Sequence, residues 1–218
     1  MAQQERAVRT REAILLAAAQ VFDEVGYEAA KVSEILTRSG VTKGALYFHF
    51  ESKEQLARGV LHENARAVPP VPPQQLKLQE AVDRGMVLAY RMGHDPLLRG
   101  SVRLALERPV HDTLDRRVPF EAWTRESQAL LEEARLAGEL QPHVDTAELA
   151  NLVVGAFAGI QLMSQAMCDR QDLCERAAVL YRVLMASVAM PGVLVQLDVA
   201  ADRGARVHAI MDDYVRTP

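Results

Sequence analysis

The chain has 218 residues, of which 49% are hydrophobic and 25% charged, and its net charge is −4. That length admits one large domain or two small ones, and the apolar content suffices for a real core. No overall basicity advertises a nucleic-acid partner, although charge can be local: residues 1–60 carry eight Lys/Arg against eight Asp/Glu, so the acidity lies in the remainder. Two cysteines, Cys168 and Cys174, are too few for a disulfide scaffold, fit no common zinc spacing and suit a reducing cytoplasm. The opening MAQQERAVRTRE lacks the apolar segment of a secretory signal. The stretch LANLVVGAFAGIQLM (149–163) contains Asn151 and Gln161 and reads as a core helix rather than a membrane span.

Residues 10–25 place Ile14, Ala17, Ala18, Val21, Phe22 and Val25 on one helical face, with Thr10 as the expected N-cap and Gly26 as a left-handed terminator. A short second helix follows in VSEILTRSG, with Ile35 and Leu36 inward and Gly40 at its end. Thr42 caps a third short helix. Ser52 opens a fourth, SKEQLARGVLHENARA, with Gln55 completing a capping box. The prolines of PPVPP (69–73) stop that run. Helix-period segments then occupy about 74–93, 96–107, 119–138, 145–167 and 171–190, with a weaker one at about 201–214; Asp95 and Asp145 sit where N-caps belong. No alternating pattern predicts a strand. The expected fold is all-α: a helix-turn-helix domain at 1–52, then a helical ligand-binding and dimerisation domain at 53–218, with the proline stretch as the main break along the chain.

Two short helices joined by a Gly-containing turn, between longer helices, form helix-turn-helix geometry, whose second short helix enters a major groove. In TKGALYFHF, Leu46, Phe48 and Phe50 are expected to anchor that helix, leaving Lys43, Tyr47 and His49 outward. Lys43 can reach the O6/N7 edge of guanine. Thr42 and the adjacent amides can meet a phosphate, and Gly44 allows close backbone approach. Tyr47, His49 and, in the next helix, Lys53 suit phosphate oxygens. A packed aromatic knot beside a solvated lysine would give the same spacing.

FDEVGYEAAKVSEI followed by GVTKGALYFHFESKEQL resembles the DNA-binding domain of TetR-type repressors, in the version carried by γ-butyrolactone-type autoregulator receptors. DPLLRGSVRLALE, GAFAGIQLMSQA and PGVLVQL resemble regulatory-domain segments of those receptors more loosely. The resemblance implies operator DNA contacts from Thr42, Lys43, Gly44, Tyr47 and His49. One departure is EAAKVSEI, where Ala29, Ala30 and Lys31 stand in place of the usual Thr or Ser cap of the second helix.

A helical sensor needs an apolar cavity with a few polar groups. Trp123, the single tryptophan, shares a face with Phe120 and Ser127. It is either a core filler or a flat wall for a lactone or furan ring. The resemblance implies the wall, because such receptors carry a ligand-contacting tryptophan in this region. Gln161 and Ser164, one turn apart on an apolar helix, can bond a ligand or each satisfy an interhelical partner. Thr124 and Asn64 are further polar candidates. Met86, Tyr90 and Phe157 are candidate lining, equally readable as core. The helices at 145–167 and 171–190 are apolar on more than one face, which a two-fold four-helix homodimer interface would use, with Gly155 and Gly159 permitting close approach.

The resulting expectation is a cytoplasmic repressor that binds double-stranded operator DNA as a homodimer. A small-molecule inducer of γ-butyrolactone, butenolide or furan type would release it by shifting 52–66 and the segment near 96–107. A TetR-like regulator or pseudo-receptor sensing a drug or antibiotic intermediate is the alternative. No G-x-S-x-G, Walker or Rossmann glycine pattern occurs. None of the six histidines has a ligand partner at i+4. Hence no enzyme activity, catalytic residue, metal or cofactor is expected, and no membrane partner.

Overall fold

The computed structural model describes residues 2–66, 71–107 and 116–216, with side chains at all of these save 2–3, 63–66, 118 and 212–216. The order is α1 (Ala2–Ala29), α2 (Val32–Ser39), α3 (Lys43–His49), α4 (Lys53–Arg66), α5 (Lys77–His94), α6 (Pro96–Leu106), α7 (Arg117–Leu136), α8 (Thr146–Cys168), α9 (Leu173–Val188), α10 (Pro191–Leu194) and α11 (Arg203–Arg216). Among the described residues no strand forms beyond one isolated bridge between Leu140 and Ala189.

The helices pack as two units, 1–68 with 95–120 and 69–94 with 121–218. The division differs from a cut at 52/53, because α4 buries Leu56, Ala57 and Val60 in the same core as Ile14, Ala18, Phe22, Ile35 and Leu46. Helix α6 also belongs to this first unit. It crosses α1 so closely that a Cβ on Gly100 would stand 2.3 Å from the Ala19 carbonyl oxygen. Two arginines of α6 fasten the crossing: Arg99 Nε donates to Asp23 Oδ2 at 2.8 Å and Arg103 Nη1 to the Asp23 carbonyl at 2.9 Å.

Local signals account for most boundaries. Asp95 Oδ1 accepts from the amides of Leu97 and Leu98, and Asp145 Oδ1 from those of Ala147 and Glu148, as capping predicts. Thr10 does not cap a helix: α1 begins at Ala2, and the Thr10 hydroxyl donates to the Arg6 carbonyl one turn back. Gly26 breaks α1 at φ 77° and ψ 173°, a conformation open to glycine at little cost.

In the second unit, Leu78, Val82 and Met86 of α5 and Leu173, Ala177, Tyr181 and Met185 of α9 are buried. Helix α11 packs on α5 through an ion pair: the fully buried Asp83 carboxylate accepts from Arg203 Nε at 2.8 Å and Nη2 at 2.6 Å. Gln79 Nε2 donates to the same carboxylate at 2.6 Å, which gives the buried charge the partners it requires. The start of α5 is closed from a distance by Glu139, whose carboxylate accepts from the amides of Lys77 and Leu78 at 3.0 and 2.7 Å.

Candidate nucleic-acid interface and regulatory site

Helix α3 is built to show one side. Leu46 and Phe50, four apart, are buried, and Thr42 Oγ1 caps the start by accepting from the Ala45 amide at 3.2 Å. The Phe50 ring is also covered by Arg11, whose guanidinium carbon lies 5.6 Å from the ring centroid. The opposite side presents Thr42, Lys43, Gly44, Tyr47 and Phe48, all exposed, with His49 half-buried beside them. Lys43 Nζ lies 6.0 Å from the Tyr47 ring centroid, so cation and ring form one patch. A Cβ on Gly44 would meet nothing within 4 Å, so its backbone lies open.

Phe48 departs from expectation. It is 82% exposed, not an anchor, with its ring edge-on to His49 at 5.2 Å between centroids. Residues 46 and 48 lie about 200° apart around a helix, so they cannot share a face. The helical phase of 43, 44, 47 and 48 would have revealed this.

Lys53 also differs. Its ammonium donates to the carbonyls of Tyr27, Glu28 and Ala30 at 2.9, 3.2 and 3.2 Å and sits 4.6 Å from the Tyr27 ring centroid. These acceptors lie where α1 ends, so the lysine closes a helix terminus instead of extending toward a phosphate. The Tyr27 amide, next to the Gly26 break, donates to Glu107 Oε2 at 2.7 Å. The start of α2 at Lys31 has no side-chain cap, as the alanines there imply. Arg38 ties α2 to α1 through Glu24 at 2.5 Å and holds that carboxyl below its ordinary range.

In the second unit the expected ligand residues separate. Met86 is fully buried, with its carbonyl under Gly204, and belongs to the core. Ser164 directs its hydroxyl to Asp172 Oδ1 at 2.5 Å and so links α8 to the turn before α9. Trp123, Thr124 and Phe157 are half-buried. Tyr90 is half-buried between His94 and His208, with ring centroids 4.4 and 5.2 Å away. The Asn64 side chain lies outside the described residues. Gln161 is 1% exposed; its Nε2 donates to Gln165 Oε1 at 3.2 Å, while its own Oε1 has no hydrogen-bond partner. A polar residue on an apolar stripe was the signal for it.

Helix α8 leaves Leu152, Gly155, Gly159, Leu162, Met163 and Met167 exposed, and α9 leaves Val179 and Val183. Helix α8 is also long and apolar enough, by composition alone, to cross a membrane.

A capped short helix, supported from beneath by two others and presenting a lysine and a bare glycine outward, defines a helix-turn-helix regulator. Residues 14–60 match the bacterial regulatory proteins of the tetR family, and residues 105–180 match the tetracyclin repressor-like C-terminal domain. The chain is 40% identical to the A-factor receptor protein of Streptomyces griseus over 197 residues, 90% of this chain and 70% of that one. It belongs to the TetR family. Its fold is similar to the crystal structure of TylP, a TetR regulator from Streptomyces fradiae, with a TM-score of 0.86 and 50% identity over 94% of this chain and 98% of that one. It is also similar to that of a gamma-butyrolactone receptor described as ArpA-like, with a TM-score of 0.68 and 26% identity over 94% and 98%.

Proposed function

We propose that this chain is a cytoplasmic, ligand-responsive transcriptional repressor that binds operator DNA as a homodimer. A small signalling molecule of γ-butyrolactone, butenolide or furan type releases it. The outward row of α3 carries the DNA half of the reading: Lys43 offers a base-reading cation, Thr42 and Tyr47, with the half-buried His49 beside them, offer phosphate donors, and Gly44 offers closeness. Lys53, held by carbonyls, drops out of the contact set.

The buried, unpartnered Oε1 of Gln161 carries the ligand half. An acceptor left so costs about 1–3 kcal/mol, and a ligand hydroxyl or N–H would remove that cost. Trp123, Thr124 and Phe157, all half-buried, are assigned the remaining apolar and polar contacts to a lactone or furan. Similarity to the A-factor receptor and to a gamma-butyrolactone receptor supports this ligand class.

Release is assigned to a shift of 52–66 and of the segment near 96–107, each of which adjoins a point where the chain passes between the two units. Ligand can act only through unequal affinity for the bound and released states. A gel-shift assay on DNA from the chain's own promoter, with and without butyrolactone, butenolide or furan compounds, tests the reading. Binding without ligand and loss with one of the three is expected. Trp123→Ala should bind DNA as the parent does and no longer let go. A variant that releases normally removes Trp123 from the pocket.

A further inference from the structure

We propose that Phe48 reads the 5-methyl group of a thymine in the major groove and so sets sequence preference at one position of each half-site. This rests on the DNA-binding reading of α3. Phe48 lies one turn beyond Gly44 on the exposed side of the helix, beside the row that pairs Lys43 with Tyr47. The ring is 82% exposed, whereas Leu46 and Phe50 on the other side are buried. Folding therefore gains almost nothing from this phenyl group, and leaving it in water forgoes the burial of a large apolar surface.

The side on which it sits also decides the occupant. Lys43 and the capping Thr42 make that side suited to an anionic, hydrogen-bonding surface, and a phenyl ring can neither donate to a phosphate nor bond a base edge. The apolar group that a major groove offers is the thymine methyl. The T-shaped contact with His49, 5.2 Å between centroids, props the ring outward.

A duplex selected by the wild-type protein from a random-sequence library supplies the probe. Anisotropy titrations then compare that duplex with versions in which each thymine of a half-site is replaced by uracil, which removes only the methyl. At one thymine position, wild-type affinity should fall about four-fold per methyl lost, the value expected from burying one carbon. Phe48→Ala should bind thymine and uracil duplexes equally at that position, and Phe48→Leu should restore part of the difference. The exposure of the ring means that both variants should keep the parent's circular dichroism and melting curve.

Equal wild-type affinity for every uracil duplex overturns the assignment and leaves DNA binding standing. So does a Phe48→Ala protein that is weaker on all duplexes but keeps the uracil penalty, which would put the ring on deoxyribose. A wild-type protein that enriches no duplex overturns the DNA-binding reading, and this inference with it.

Discussion

A lysine that reads a base has to be held in place without being consumed by the fold. Lys43 and Lys53 separate these two conditions. Lys43 stands exposed at the first position of α3 with a neighbouring ring, whereas the Lys53 ammonium is taken by three carbonyls. Lys43→Ala should therefore weaken binding to the selected site by about ten-fold or more while leaving random-sequence binding and melting temperature nearly unchanged. Equal losses on both kinds of DNA would make Lys43 a phosphate contact. Sequence could place Lys43 outward because it directly follows the capping Thr42 at the start of a short helix whose buried residue is three positions on. It could not place Lys53, because the carbonyls that capture it belong to residues more than twenty positions earlier. Phe48 departs from its expected anchoring role for a different reason. Taking 46, 48 and 50 together applies the period of a strand to a helix, whose buried pair is 46 and 50.

Boundaries between elements were legible where a side chain makes them. Asp95 and Asp145 precede their helices by one residue, and each accepts two amides. The first turns of α1 were not legible, because residues 2–9 are mostly polar and periodicity detects only a helix with an apolar face. Helix α10 falls between the segments expected at 171–190 and 201–214, where periodicity is too short to show a single turn begun by a proline. The turn between α8 and α9 carries a testable charge. The Arg176 guanidinium, then the Ser164 and Cys168 hydrogen bonds, hold the Asp172 carboxyl well below the usual carboxylate range. A carboxylate depressed on folding stabilises at pH above its unfolded value, about 3.9. That contribution disappears as pH falls through the folded value. Asp172→Asn should lower the melting temperature at pH 7 and flatten its decline below about pH 5. Thermal melts across that range that run parallel to the parent's would show that the ion pair contributes nothing.

At the scale of the whole molecule, α8 and α9 leave apolar rows open among the described residues. Leu162 and Val183 are more than half exposed, and Gly155 and Gly159 leave room for another backbone. A second copy of the chain is the proposed occupant. Leu162→Lys with Val183→Lys should halve the mass seen by light scattering while helical content stays the same, and should abolish tight binding to a two-half-site duplex. The double stripe was readable from sequence; which stripe stays open depends on the core that α5 and α9 form together, and no periodicity shows that. The α1–α6 crossing bears on how such a molecule could switch. Flexible side chains soak up a displacement by changing rotamer, and most helix contacts have this slack. Where Gly100 lies against the Ala19 carbonyl, backbone meets backbone with no side chain of Gly100 to yield, so within the first unit a shift of α6 along α1 has little room.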